Sequence, residues 1–475
     1  MKTGEISRRY FIKAAGATAA AVALGNFAAF PAGCGPKKAS FSNKLPIPPL
    51  AKNSSTDPSK AVFELTAQKG TSQFFEGKST ATLGYNGNYL GPVLRAKKGQ
   101  QVSVRVKNML DEETTVHWHG VLVPGEMDGG PHQTIAAGSE WNQSYVINQP
   151  AGTMWYHAHP LGTTGPQVYK GLAGLFIIDD EVLDNLNIPK DYGVNDVPLI
   201  VQDRRFADDG SLLYLNATDD DLHGMMGDKM MVNGVINPVL EVNAVKMRFR
   251  IVNGSNARIY DFRLSNNSKF NQIASDNGFL ESPVELDTLE MSPGERAEII
   301  VDFSGAAAGD VISLNSAELK IMDFQVKGTA ADATSIPAKL TTISKIDEKS
   351  AAKTRTFTFT GGRERAGINS LQMNLKTGMD TIHETVKFGD TEIWEISDNT
   401  GIPHPFHIHG VHFQVLDRNG KPPPANESGW KDTVLVHNSE KVRTIATFGQ
   451  KGIFMFHCHN LEHEDAGMML QYEAK

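Results

Sequence analysis

Cysteine is almost absent: 475 residues carry two, Cys34 and Cys458, and the first lies in an N-terminal stretch that reads as a leader. An internal disulfide is therefore not expected to hold the chain together. Positive charge is scarce too. Lys and Arg number 46 against 54 Asp and Glu, a formal net charge of −8. No basic run is interleaved with aromatics, so the chain has no field for gripping a phosphate backbone, and nucleic acid is set aside as a partner. What is present is the composition of a soluble globular protein, 40% hydrophobic and 21% charged, with 44 Gly and 23 Pro for many turns between short strands. An all-β chain is expected, and at roughly 150 residues per domain its length suggests about three domains.

The leader has Ser7-Arg8-Arg9-Tyr10-Phe11-Ile12-Lys13 ahead of an apolar, Ala-rich run from Ala14 to about Ala32. This resembles a twin-arginine export signal, implying the twin-arginine machinery as a partner and delivery of a folded protein to the periplasm or cell envelope. Small residues, Gly and Asn interrupt the run, which argues against a membrane span. Ala32-Gly33-Cys34 also resembles the end of a lipoprotein signal, with Pro31 where Leu is expected, so a lipid anchor at Cys34 stays open. Residues 1–34 are read as the leader and 35–60, rich in Lys, Ser, Pro and Asn, as a tether.

Beyond it, β-branched and aromatic runs alternate with Gly, Asn, Asp and Pro clusters. Three of these runs align: Val104-Arg105-Val106-Lys107-Asn108, Phe249-Arg250-Ile251-Val252-Asn253 and Trp394-Glu395-Ile396-Ser397-Asp398, at offsets 249 − 104 = 145 and 394 − 249 = 145. A constant period of that length means one domain repeated three times, placed at 61–180, 190–330 and 350–475. Gly152 to His159 parallels Gly452 to His459 at an offset of 300, and His117-Trp118-His119-Gly120 parallels His407-Ile408-His409-Gly410 at 290. The middle copy has lost these pairs, since only His223 and His383 fall between His159 and His404.

Each pair is His-x-His, and on a strand residues i and i+2 share a face about 6.6 Å apart. Such imidazoles can serve two neighbouring metals, and neutral imidazole suits copper. One pair alone would be ordinary surface or core histidine. Four, at 117/119, 157/159, 407/409 and 457/459, supply eight ligands in matched places of two repeats, enough for three coppers. Cys458 lies between His457 and His459 and so points to the opposite strand face. With His404, three residues before His407, and His463 and Met468 beyond, it completes the two His, one Cys and weak axial Met of a blue-copper site. The backbone then joins the blue copper's cysteine directly to two histidines of the cluster.

These four stretches, the last running from His457-Cys458-His459 to Met468, resemble the copper motifs of multicopper oxidases over the whole mature chain. The resemblance implies three tandem cupredoxin-like Greek-key β-sandwich domains and four copper ions, with the cluster between domains one and three. It implies a type 1 copper that takes electrons from a small reducing substrate and a trinuclear cluster that reduces dioxygen to water. By it, His117 and His407 bind the type 2 copper, His119, His157 and His459 one type 3 copper, and His159, His409 and His457 the other. Asp128 and Glu464 match acidic positions that relay protons to the cluster. A monomer is expected.

Within the family, Val123-Pro124-Gly125-Glu126-Met127-Asp128-Gly129-Gly130-Pro131 and Gly429-Trp430-Lys431-Asp432-Thr433-Val434 resemble bacterial copper-efflux oxidases. Those carry a long methionine-rich insertion, whereas residues 361–400 here hold only Met373 and Met379. Met225, Met226, Met230 and Met231 are read either as soft Cu(I) ligands or as core packing. Cuprous oxidation, with a role in copper tolerance, and laccase-like oxidation of phenols or aromatic amines therefore stand side by side. The alternative class is a noncatalytic envelope protein of the same fold, as in relatives that act in cell division.

Overall fold

Alternation along the strands builds the sheets. In Gln101–Asn108, Val102, Val104 and Val106 are buried while Gln101, Ser103, Arg105 and Lys107 are half exposed, the period-two pattern of a strand with one face on a core. The structure, a computed structural model, describes residues 43–361, 366–373 and 379–475. The leader, with Arg8, Arg9 and Cys34, lies outside the described residues, as does the start of the tether.

The three segments spaced by 145 residues take the same place in three successive sandwiches. Gln101–Asn108 runs parallel to Lys60–Ser72 and antiparallel to Glu140–Val146. Lys246–Asn253 has the same neighbours in Asp196–Phe206 and Arg296–Asp302, and Thr391–Asp398 has them in Lys353–Thr360 and Glu440–Thr447. A parallel partner requires a crossover. In domain one the chain makes it through Leu94–Lys97, which pairs with Ala173–Asp179 in the opposite sheet. Each sandwich closes on its own core, around Phe63 and Trp118, Phe249 and Phe324, and Phe357 and Trp394 respectively. Truncating an aromatic of this kind costs about 3–5 kcal/mol. The chain is all-β, with three cupredoxin-like domains.

The tether reading does not hold for residues 43–59. Leu45 is buried in the core of domain two, and its amide donates to the Val239 carbonyl at 2.8 Å. Leu50 is bridged to Val93, whose carbonyl accepts from the Ala51 amide and whose amide donates to the Pro49 carbonyl, both at 2.8 Å, and Tyr192 donates to the Pro48 carbonyl at 2.6 Å. Prolines and polar residues look alike in a free linker and in an extended segment whose backbone is satisfied by neighbouring strands, so composition does not separate the two.

Candidate metal centres

In domain one the histidine pairs lie at the end of Gly152–His157 and in the bridged segment beside it, where His117 pairs with His157. In domain three His404–Ile408 and Gly452–Cys458 lie side by side, with His407 across from His457. The two sets converge. All eight histidines are 1% exposed or less, with His117 stacked on His409 and His119 on His407, each at 3.8 Å between ring centroids.

Six of the eight rings have their outer nitrogen committed. Those of His117, His157, His407 and His457 (all Nδ1) donate to the carbonyls of Asp128, Ala158, Asp432 and Cys458 at 2.8–3.0 Å. His409 Nδ1 bonds Asp128 Oδ2 at 2.7 Å, and His119 Nε2 bonds Asp432 Oδ1 at 2.9 Å. Such bonds fix the tautomer and turn the other nitrogen's lone pair inward. The Nε2 atoms of His117, His157 and His407, Nδ1 of His119 and both nitrogens of His459 are buried without a protein partner. His159 and His409 each bring Nε2 to within 3.2 and 3.0 Å of His457 Nε2. Lone pairs that converge this closely are a donor set for cations. Burial and mutual repulsion hold His119, His157, His159, His409 and His459 well below the ordinary imidazole value, and burial pushes His407 down to about 4. These six rings are therefore neutral, as copper binding requires.

Cys458 points the other way. Its sulfur and one nitrogen each of His404 and His463 all lie within 4.8 Å of one another, with His463 Nδ1 4.0 Å from Sγ. The Asn460 amide donates to the sulfur at 3.3 Å, while burial pushes the free thiol's pKa up. Met468 is buried and lines a small cavity with His404, His463, Leu222 and Thr400. His463 Nε2 bonds the Leu222 carbonyl at 3.0 Å, so the middle domain reaches this site. His404 Nδ1 bonds Asp398 Oδ2 at 2.7 Å. The sequence carried a signal for Asp398: the aligned segments end in Asn108, Asn253 and Asp398, and only the third copy needs an anion for a histidine.

Two carboxylates, Asp128 and Glu464, lie against the cluster. Asp128 Oδ2 binds His409, leaving Oδ1 buried without a partner. Glu464 lies 3.3 Å from His159 Nδ1 and 3.2 Å from His457 Nδ1 without an aligned hydrogen bond. A third, Asp432, joins His119 and His407 in one donor group; the motif around it was visible in the sequence, its contact with the histidines was not. Met230 belongs to the core of domain two, Met231 follows it on the same strand and so faces away, and His223 is exposed. Met373 packs against Met455 and Met469.

Multicopper oxidase family profiles match residues 66–182, 206–331 and 347–475. The chain belongs to the multicopper oxidase family, and it is an oxidoreductase. It is 38% identical over 436 residues to a multicopper oxidase, mco, of Staphylococcus haemolyticus, covering 91% of this chain and 92% of that one. It is also 33% identical to the cell division protein FtsP of Dickeya dadantii, over 99% of both chains. Among solved structures it superimposes on a laccase from Pediococcus acidilactici with a TM-score of 0.86 at 37% identity, covering 91% and 93% of the two chains. A twin-arginine translocation signal profile matches residues 5–25, which places the chain in the periplasm or cell envelope.

Proposed function

We propose that the protein couples one-electron oxidation of a small reductant to the four-electron reduction of dioxygen to water, with four copper ions. His404, Cys458, His463 and Met468 would hold the type 1 ion. His117 and His407 would hold the type 2 ion, His119, His157 and His459 one type 3 ion, and His159, His409 and His457 the other. Copper so held supplies electron transfer at the thiolate site and oxygen reduction at the histidine cluster. One observation carries the reading: Cys458 faces one donor set while its covalent neighbours His457 and His459 face the other. The backbone between them gives electrons a short covalent path.

Reducing dioxygen to two waters takes four protons, and six of the eight histidines have their outer proton committed to a carbonyl or carboxylate. Asp128 and Glu464, buried beside them with oxygens that lack partners, are the groups placed to hold and pass protons. A monomer suffices, because one chain builds both centres. Cu(I) and phenols or aromatic amines are the two substrate classes. Oxygen uptake by the copper-loaded protein with Cu(I), Fe(II) and 2,6-dimethoxyphenol ranks them by kcat/KM. A second reading, a noncatalytic envelope protein, draws on the likeness to the Dickeya protein; a purified chain that takes up no copper and consumes no oxygen would establish it.

A further inference from the structure

We propose that Arg296, in the middle domain that carries none of the histidine pairs, is a positioning residue for the histidine cluster and acts through Asp432. The proposal rests on the copper reading above. Its basis is the segment Gly429 to Val434, which docks on two loops of domain two. The Trp430 carbonyl accepts from the Asn277 amide and the Ser275 hydroxyl, both at 3.0 Å. Lys431 pairs with Asp276 at 3.1 Å and Glu295 at 2.9 Å. Asp432 then meets Arg296 in a two-pronged pair, Nη1 to Oδ1 at 2.7 Å and Nη2 to Oδ2 at 2.5 Å.

The rest of the guanidinium is held just as firmly. Nε donates to the Thr153 carbonyl of domain one at 3.1 Å, Nη1 to the Gly294 carbonyl at 2.9 Å, and Nη2 to the Asp276 carbonyl and Asn277 Oδ1 at 3.2 and 3.1 Å. One fully buried planar fork thus binds all three domains. On its far side Asp432 serves two domains at once: its carboxylate accepts from His119 of domain one, and its carbonyl accepts from His407 of domain three. Thr433 Oγ1 donates to the same carboxylate at 2.8 Å. A rigid fork fixes both the place and the orientation of a carboxylate, which a lysine's single point charge does not. The carboxylate in turn selects the His119 tautomer that leaves Nδ1 facing inward.

Arg296→Lys keeps the charge and removes the fork, and Asp432→Asn keeps the shape and removes the charge. Lys431→Met is the control, since it breaks neighbouring interdomain pairs without touching a histidine. Each protein is copper-loaded and read by copper per chain, the blue absorption band, the electron paramagnetic resonance signal of the type 2 copper, and melting temperature. Arg296→Lys and Asp432→Asn are expected to keep the blue band, to alter the type 2 signal, and to weaken cluster copper retention or turnover about 10- to 100-fold. Lys431→Met is expected to melt earlier with an unchanged type 2 signal. If Arg296→Lys fails to fold, Asp432→Asn carries the test by the same readouts. Variants that retain copper with the wild-type signal overturn the positioning role alone. A wild-type protein that takes up no copper overturns the functional reading and this proposal together.

Discussion

His407 sits directly across from His457 on neighbouring antiparallel strands, as register partners. In domain one His117 and His157 form the same kind of bridge. A one-residue slip in either pairing would turn a histidine away from the cluster and into a sandwich core, so sheet register and metal geometry are one constraint.

Cys458→Ser is expected to abolish the blue charge-transfer band and substrate oxidation, because no thiolate remains to bind copper or begin the electron path. Copper in the histidine cluster should stay. Absorption and copper analysis decide it, and a persistent blue band would refute the ligand assignment.

Asp128→Asn should keep the blue band and full copper content while losing most turnover. In stopped flow, anaerobic reduction of the blue copper is expected to stay fast and reoxidation by oxygen to become slow. Normal reoxidation would remove Asp128 from the proton path.

Gly129→Ala tests the loop that carries Asp128. Gly129 has φ +80°, and an added Cβ would lie 1.8 Å from the Val116 carbonyl oxygen, so both the conformation and the space exclude a side chain. The left-handed backbone alone costs about 1–2 kcal/mol, and the clash adds to it. A lower melting temperature together with reduced copper per chain is the expected result; wild-type values of both would contradict this geometry.

Acid should destabilise the copper-free protein over a defined range. Burial pushes His412 down from 6.5 to about 4, with its Nε2 bonded to the Gly120 carbonyl at 2.9 Å. Because the folded value is depressed, the unfolded chain binds more protons between those limits. The stabilisation is whole above about pH 6.5 and is lost as pH falls toward 4, roughly 3 kcal/mol for this group. His119, His157, His159, His407, His409 and His459 act in the same direction. A melting temperature that stays level from pH 7 to 4 would count against it.

Arg8→Lys with Arg9→Lys should leave folded oxidase in the cytoplasm, since the paired arginines are the recognised feature of the leader. Cell fractionation checks this, and periplasmic protein from the double variant would contradict the export route.

The histidine pairs and Cys458 were legible because strand alternation is a local rule: two residues apart means one face, one apart means the other. The repeat of 145 residues was legible for the same reason, as each copy writes the same central strand. Arg296 and Asp432 were not, because their meeting is made by the packing of three domains and leaves no periodic trace. Residues 43–59 misled for a related reason, their order coming from strands far away in sequence. Asp398 stood in plain view at the end of an aligned segment, where one substitution of Asn by Asp marked a new duty.

The donor pairs are split by 407 − 159 = 248 residues, and this orders events during synthesis. A nascent chain that has emerged through its middle domain carries the first two pairs and none of the rest. Of the donor groups, only that of His117, His119 and His157 can then be complete, and every other one waits for residues of the third domain. Completing the whole donor set thus becomes the last act of folding, one that only a fully made and docked chain can perform.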